Sequence, residues 1–274
     1  MLRLWNDPGW QQYRRSALYQ NVLVEKKDGI ERITVNRPKA MNALNSQTRG
    51  ELAQAFLDAQ KEDTVKVVII TGAGDRAFTA GQDLEEAQQF NDELARKWIV
   101  EHDKLYAAML DLEKPLIARV NGVATGAGLQ LGLLADIIIA SENARFGAAE
   151  INIGIPCITG SGIMWHMISR HIIAEIIMTG RLLTAHEADK IGLINHVVPH
   201  DQLESTVMET ARLLATKPSL ANALNKRWLR HLTEKHFEEV INYASEFHGI
   251  AYGTGEPQKL MKAFFEERAR RKQQ

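Results

Sequence analysis

The architecture turns on Val65-Lys66-Val67-Val68-Ile69-Ile70-Thr71-Gly72-Ala73-Gly74-Asp75-Arg76-Ala77. Val65 to Thr71 reads as a strand, and its continuous apolar run suggests burial on both faces, the kind found in parallel sheets. On paper, Gly72, Gly74 and Ala77 in the following loop satisfy the G-x-G-x-x-G/A dinucleotide fingerprint. Such a site needs a helix to begin inside the loop, so that its N-terminus meets a pyrophosphate. Phe78-Thr79-Ala80-Gly81 follows instead, with another glycine where the helix should already be running. The dinucleotide reading is set aside, and no G-x-x-x-x-G-K-[ST] stretch offers a P-loop in its place.

Upstream, Glu31-Arg32-Ile33-Thr34-Val35 alternates polar and apolar residues as a strand does, and Asn36-Arg37-Pro38 ends it. A helix is predicted from Ser46 to Gln60, with Leu52, Phe56 and Leu57 on one face. Downstream, an amphipathic helix is predicted over Glu93 to Leu112, where Leu94, Trp98, His102, Leu105, Met109 and Leu112 recur at spacings of three and four. Lys114-Pro115 stops it. Leu116 to Gly122 reads as a strand running into a turn, and Asp136 to Ala140 as a further buried strand. Strands alternating with helices favour right-handed crossovers and a parallel sheet. Thr184-Ala185-His186-Glu187 has the form of a capping box. Past Val197-Val198-Pro199 the pattern is helical from Asp201 to Lys272. A soft boundary therefore falls near residue 200, separating a core over 1–199 from a helical segment over 200–274.

The 274 residues include 45% hydrophobic and 24% charged residues, ordinary globular usage that excludes wholesale disorder. Thirty-three basic against 34 acidic side chains leave a net charge of -1, which argues against nucleic acid as a partner. No apolar stretch reaches the roughly 18 residues of a membrane span. Met1 to Pro8 lacks the apolar core of a secretory signal, so a cytoplasmic setting is expected. The single cysteine, Cys157, fits a reducing compartment and reads as inert core, since no partnered base is evident. The histidines show no metal-ligand spacing; His166 and His171 read as packing or surface residues, and no metal is expected.

Two further glycine loops, Ala80-Gly81-Gln82-Asp83-Leu84 and Gly122-Val123-Ala124-Thr125-Gly126-Ala127-Gly128-Leu129-Gln130, follow strands and lead toward helical sequence. Two readings stay open from spacing alone. The small residues allow tight helix–sheet packing, or unpaired N–H groups at a helix start receive a developing negative charge.

Asn36-Arg37-Pro38-Lys39-Ala40-Met41-Asn42-Ala43-Leu44 resembles the opening motif of the crotonase (enoyl-CoA hydratase/isomerase) superfamily. Ala77 to Leu84 resembles that family's first oxyanion loop, Val120 to Gly128 its second, and Phe146-Gly147-Ala148-Ala149-Glu150-Ile151-Asn152-Ile153-Gly154 its catalytic-glutamate segment. Thr179-Gly180-Arg181 through Pro199 and Ala263 to Arg268 also match in type, so the likeness runs from about 20 to 270. Residues 1–19 form an N-terminal extension without a family counterpart.

The resemblance implies an α/β fold, a crotonase-like ββα spiral with two roughly perpendicular sheets and a helical C-terminal segment that helps build trimers or dimers of trimers. It implies an acyl-CoA thioester as ligand and no separate cofactor, coenzyme A entering with the substrate. Backbone N–H groups of Gln82 and Ala127 would hold the thioester oxygen. Lys39, Ala40, Gln82, Asp83, Leu84, Glu85, Ala127 and Phe264 would line the coenzyme A path. Glu150 would shuttle the proton, in apolar surroundings supplied by Ile151, Ile153 and Ile155.

The chain departs from the family pattern in places. Gln130 stands where hydratases commonly carry a second glutamate, and an amide orients water but cannot take its proton. Ile155-Pro156-Cys157-Ile158-Thr159-Gly160 replaces a glycine-rich water-holding turn. Ala127 replaces a glycine, and Glu267 a lysine that faces coenzyme A, with Arg268 or Lys262 as substitutes. The sequence thus points to double-bond isomerisation or hydration of an enoyl-CoA, with a non-catalytic acyl-CoA-binding homologue as the alternative.

Overall fold

The computed structural model describes residues 11–12 and 19–271. Most of the N-terminal extension, residues 1–10 and 13–18, therefore lies outside the described residues, as does Lys272. In chain order the elements are β1 (Gln11–Gln12), β2 (Val22–Lys27), β3 (Ile30–Val35), α1 (Ser46–Lys61), β4 (Val67–Gly72), β5 (Ala77–Thr79), α2 (Leu84–Ala87) and α3 (Asp92–Leu110). Then come β6 (Leu116–Val120), β7 (Val123–Thr125), α4 (Ala127–Leu133), β8 (Ile137–Ser141), β9 (Arg145–Gly147), α5 (Ile158–Met164) and α6 (Arg170–Thr179). The chain continues through β10 (Leu183–Thr184), α7 (Ala185–Lys190), β11 (His196–Val198), α8 (Leu203–Ala215), α9 (Ser219–Gly253) and α10 (Glu256–Arg271).

The winding is a spiral. The larger sheet runs β1-β2-β3-β4-β6-β8-β11 and the smaller β10-β9-β7-β5. From β4 to α6 each turn gives one strand to the larger sheet, the next to the smaller, and then a helix; β10 then returns to the smaller sheet and β11 to the larger. The pairs β3–β4, β4–β6, β6–β8 and β8–β11 are all parallel. The loop Gly72 to Asp75 leads into β5, not into a helix, so the geometry a dinucleotide needs is absent there.

The continuous apolar run of β4 is explained by its two partners. Val67 and Ile69 join Ile117 and Ile139 against Leu203, Val207 and Ala211 of α8. Val68 and Ile70 face the other way, into the main core with Phe56 of α1 and Leu105 and Met109 of α3. Alternate side chains of a strand point to opposite faces, so a strand covered on both must be apolar throughout.

Caps set the helix starts. Asn45 accepts the Thr48 N–H at 2.9 Å, Asn91 accepts the Leu94 N–H at 2.9 Å, and Thr184 with Glu187 closes the expected capping box. Two face assignments need correction. Leu57 and Leu94 are exposed, because the buried stripes rotate onto Ala55 and Ala59 in α1 and onto Ala95, Ile99 and Tyr106 in α3. Beyond residue 200 the described chain is helical; α9 lies along α3 and α5. Among the described residues, no helix is long and apolar enough to cross a membrane.

Candidate active site

The two glycine loops meet backbone to backbone. Leu44 donates its N–H to the Gly81 carbonyl at 2.8 Å and accepts the Asp83 N–H at 3.2 Å. In a parallel ladder the residue between two bonded ones turns its own N–H to the opposite side, so the Gln82 N–H points away from Leu44. On that side lies the second loop. Gly81 has φ +85°, and a Cβ there would stand 2.5 Å from the Thr125 carbonyl oxygen and 3.0 Å from the Ala127 nitrogen. Only glycine allows this approach. Ala127 is the first residue of α4, where an N–H has no intrahelical acceptor.

Glu150 sits on the one-and-a-half-turn 3-10 segment Ala149–Ile153 that follows β9. A Cβ on Gly126, which has φ +54°, would lie 3.6 Å from Glu150 Oε1, so the carboxyl faces the peptide that carries the Ala127 N–H. Gln130 Nε2 donates to Glu150 Oε1 at 3.2 Å, and Tyr106 Oη donates to Gln130 Oε1 at 2.6 Å. The Cys157 thiol lies beside the carboxylate and draws its pKa down. Glu150 Oε2 is buried and has no partner among the described residues. Burial pushes the Glu150 carboxyl above its ordinary range, opposed by hydrogen bonds from its own backbone, Cys157 and Gln130.

The apolar surroundings come from a different set than expected. Ile153 and Ile155 line the cavity, but Ile151 is 45% exposed and points outward. The side chain at 151 follows Glu150 directly on a tight helical turn, which aims neighbouring residues in different directions. Burial and the adjacent Glu150 carboxylate push the Cys157 thiol well up, so it stays a protonated donor, not a thiolate.

Gln82, Gly126, Ala127, Gln130, Glu150 and Cys157 open onto a cavity of about 570 Å³. Lys39, Ala40, Gln82, Asp83, Leu84, Glu85, Ala127, Gln130, Glu150 and Phe264 all line it, so these ten residues converge on one space. Arg268 lines it as well, whereas Glu267 turns to pair with Arg271. Sequence reasoning missed Arg37, which bonds the Ala43 carbonyl at 2.6 Å and Asp83 at 2.8 Å. It also missed the roles of Trp98, His102 and His248 in the wall. A histidine in the apolar stripe of α3 was the available signal for one of them.

A buried arginine fixes the first loop. Arg49, 2% exposed, donates to the Leu44 carbonyl at 2.9 Å, Gln82 Oε1 at 2.8 Å and Glu86 at 3.1 Å, and reaches Glu101 at 2.7 Å. Trp98 Nε1 donates to the same Gln82 oxygen at 2.7 Å. The Gln82 side chain is therefore held on the protein side, which leaves its main chain to face the cavity.

Comparison with known proteins gives a consistent result. A family model described as Enoyl-CoA hydratase/isomerase matches residues 25–274. A short-chain-enoyl-CoA hydratase of Clostridium acetobutylicum is 35% identical over 249 residues, 90% of this chain and 95% of that one. A crotonyl-CoA hydratase of Syntrophomonas wolfei is 32% identical, covering 91% of this chain and 96% of the other. The crystal structure of an enoyl-CoA hydratase/isomerase from Xanthobacter autotrophicus superposes with a TM-score of 0.83 at 32% identity, over 92% of this chain and 94% of that one.

Proposed function

Because the chain belongs to the enoyl-CoA hydratase/isomerase family, we propose that it adds water reversibly to a 2-enoyl-CoA, with Glu150 as the sole proton carrier. The alternative of a non-catalytic acyl-CoA-binding homologue has no support among these relatives. One observation carries the mechanism: the Glu150 carboxyl, with a buried, unpartnered oxygen, faces the peptide at the start of α4 across the same cavity.

The thioester oxygen sits between the Gln82 and Ala127 N–H groups. When water adds at C3, negative charge moves onto that oxygen. Two aimed amides stabilise it, at about 3–4 kcal/mol per donor. Glu150 takes one proton from the attacking water as the C3–O bond forms, then delivers a proton to C2. The sum is one water added, with the carboxylate regenerated. Gln130 spends its amide oxygen on Tyr106 and presents only N–H donors, so it orients Glu150 and takes no proton. Lys39, Ala40, Asp83, Leu84, Glu85 and Phe264 are read as the coenzyme A path, with Arg268 as the phosphate contact and no further cofactor.

The donor-only Gln130 favours a second reading, double-bond migration, in which Glu150 moves a proton from C2 of a 3-enoyl thioester to C4. Incubation with 2-enoyl-CoA and 3-enoyl-CoA in deuterated water separates the two. Hydration of the 2-enoyl substrate supports the first reading, and conversion of the 3-enoyl substrate to the 2-enoyl one with deuterium at C4 and no hydration supports the second. In either case Glu150→Gln should lower kcat by about 10³-fold or more while thioester binding persists. Unchanged turnover in that variant would remove Glu150 from the mechanism.

The outer face of α9 supports an oligomer, a trimer or a dimer of trimers, with residues 200–274 as the assembling segment. The reduced, buried Cys157 is consistent with a cytoplasmic setting.

A further inference from the structure

Trp98, His102 and Tyr106 follow one another at i, i+4 along α3, each one turn beyond the last. Tyr106 is spent on Gln130, next to Glu150. One turn away, His102 is 3% exposed, lines the cavity, and neither ring nitrogen has a hydrogen-bond partner among the described residues. Its ring is held between Trp98, edge-on at 5.3 Å, and Tyr106 at 5.3 Å. His248 closes the same wall, edge-on to Trp98 at 5.1 Å. Its Nδ1 bonds the Ala244 carbonyl at 2.6 Å, so Nδ1 carries the hydrogen and Nε2 keeps a lone pair.

Burial holds both imidazoles neutral, His102 well below the usual range and His248 at about 4. A neutral imidazole offers one donor and one acceptor but no counter-charge. Unpaired polar groups buried in a cavity wall are rare, and the cost is recovered when a ligand supplies the partner. A hydrocarbon tail would leave both nitrogens unpaired. A carboxylate tail would enter an apolar, aromatic wall with no cation to receive it, since Arg49 is already committed to Glu86 and Glu101.

We propose that His102 sets acyl selectivity by hydrogen-bonding a neutral oxygen, so that the substrates are enoyl-CoA thioesters bearing a hydroxyl or oxo group several bonds beyond the double bond. This rests on the enoyl-thioester reading above. His102 is a specificity residue; it touches the acyl tail and not the reacting carbons.

The test compares hex-2-enoyl-CoA with its 5-hydroxy, 6-hydroxy and 5-oxo derivatives, using wild type, His102→Phe and His102→Gln. Wild type should favour at least one oxygenated substrate by about tenfold in kcat/KM. His102→Phe should bring the ratio of kcat/KM for oxygenated over plain substrate to about one, whatever its absolute turnover, and His102→Gln should restore part of that ratio. Calorimetric titration of wild type with saturated hexanoyl-CoA and 5-hydroxyhexanoyl-CoA reads the same preference without a variant. Turnover of hex-2-enoyl-CoA with no gain for any oxygenated substrate would overturn this assignment alone. A preference that survives in His102→Phe would also overturn it. Failure of wild type to turn over any of the four would bring down the enoyl-thioester reading and this inference with it.

Discussion

Glu150 shows how one residue is placed in an environment that opposes its charge. Its carboxyl is held above its ordinary pKa mainly by burial. Acting as a base it must be ionised, so kcat/KM should rise with pH through that raised value and level off above it. The stability effect has the opposite sign. A group whose folded pKa is raised contributes stability that is complete below its unfolded value and lost as pH climbs through the folded one. At neutral pH the buried carboxylate therefore weakens the fold, and Glu150→Gln should melt at a higher temperature than wild type while losing activity. A scan of melting temperature against pH checks this; an unchanged or lower value in the variant would show that the hydrogen bonds from Gln130 and Cys157 outweigh burial. Legibility at this scale was uneven. Glu150, Gln82 and Ala127 lie in contiguous motifs and could be read from the chain. His248 could not, because it reaches the cavity from a helix about 100 residues further on, and no local pattern marks which side of a long helix will meet a distant wall.

At the scale of elements, the first glycine loop is held by α1, α2 and α3 together, and Arg49 is where they meet. Its guanidinium joins a carbonyl of the Asn36–Leu44 segment, the Gln82 side chain, Glu86 of α2 and Glu101 of α3. Arg49→Met would leave two carboxylates without their cation. Both keep about a quarter of their side-chain surface, at 26%, so the loss is discounted from the fully buried case to about 2–4 kcal/mol. The same change removes one of the two donors that hold Gln82 Oε1, leaving Trp98, so kcat should fall more than the thioester affinity. A double-mutant cycle with Glu101→Gln should recover part of the stability; strict additivity of the two losses would argue that the pair is not coupled. The elements themselves were largely readable. Periodicity located α1, β4 and α3 to within a few residues, because burial on one or both faces writes itself into the spacing. The misplaced residues, Leu57 and Leu94, lie at the edges of their stripes, where a turn of 100° per residue leaves the boundary to be decided by tertiary neighbours.

At the scale of the whole molecule, α9 carries an apolar ridge that no other element among the described residues covers. Inward-facing positions of α9 become buried only from Phe237 onward, and the half before it carries Leu220 at 71%, Leu224 at 52%, Trp228 at 59% and Leu232 at 56% exposure. Those four recur every fourth residue, so they form one ridge along the helix. Leu229, at 57%, extends the apolar surface beside it. Burying a large apolar side chain is worth about 1.5–3 kcal/mol, and a contiguous strip of them is more than a monomer ordinarily leaves in water. The expected state is an assembly of identical chains, read by sedimentation equilibrium as three or six times the chain mass. Trp228→Glu combined with Leu232→Glu should shift it to smaller species and lower the melting temperature, since subunit association stabilises the folded chain by mass action. Activity separates two roles for the ridge: dissociated chains that still turn over substrate make it purely cohesive, whereas a parallel loss of kcat would mean that contact between chains holds α9, and with it α3, in the catalytic arrangement. A wild-type protein that sediments as a single chain at micromolar concentration would remove the assembly from the account.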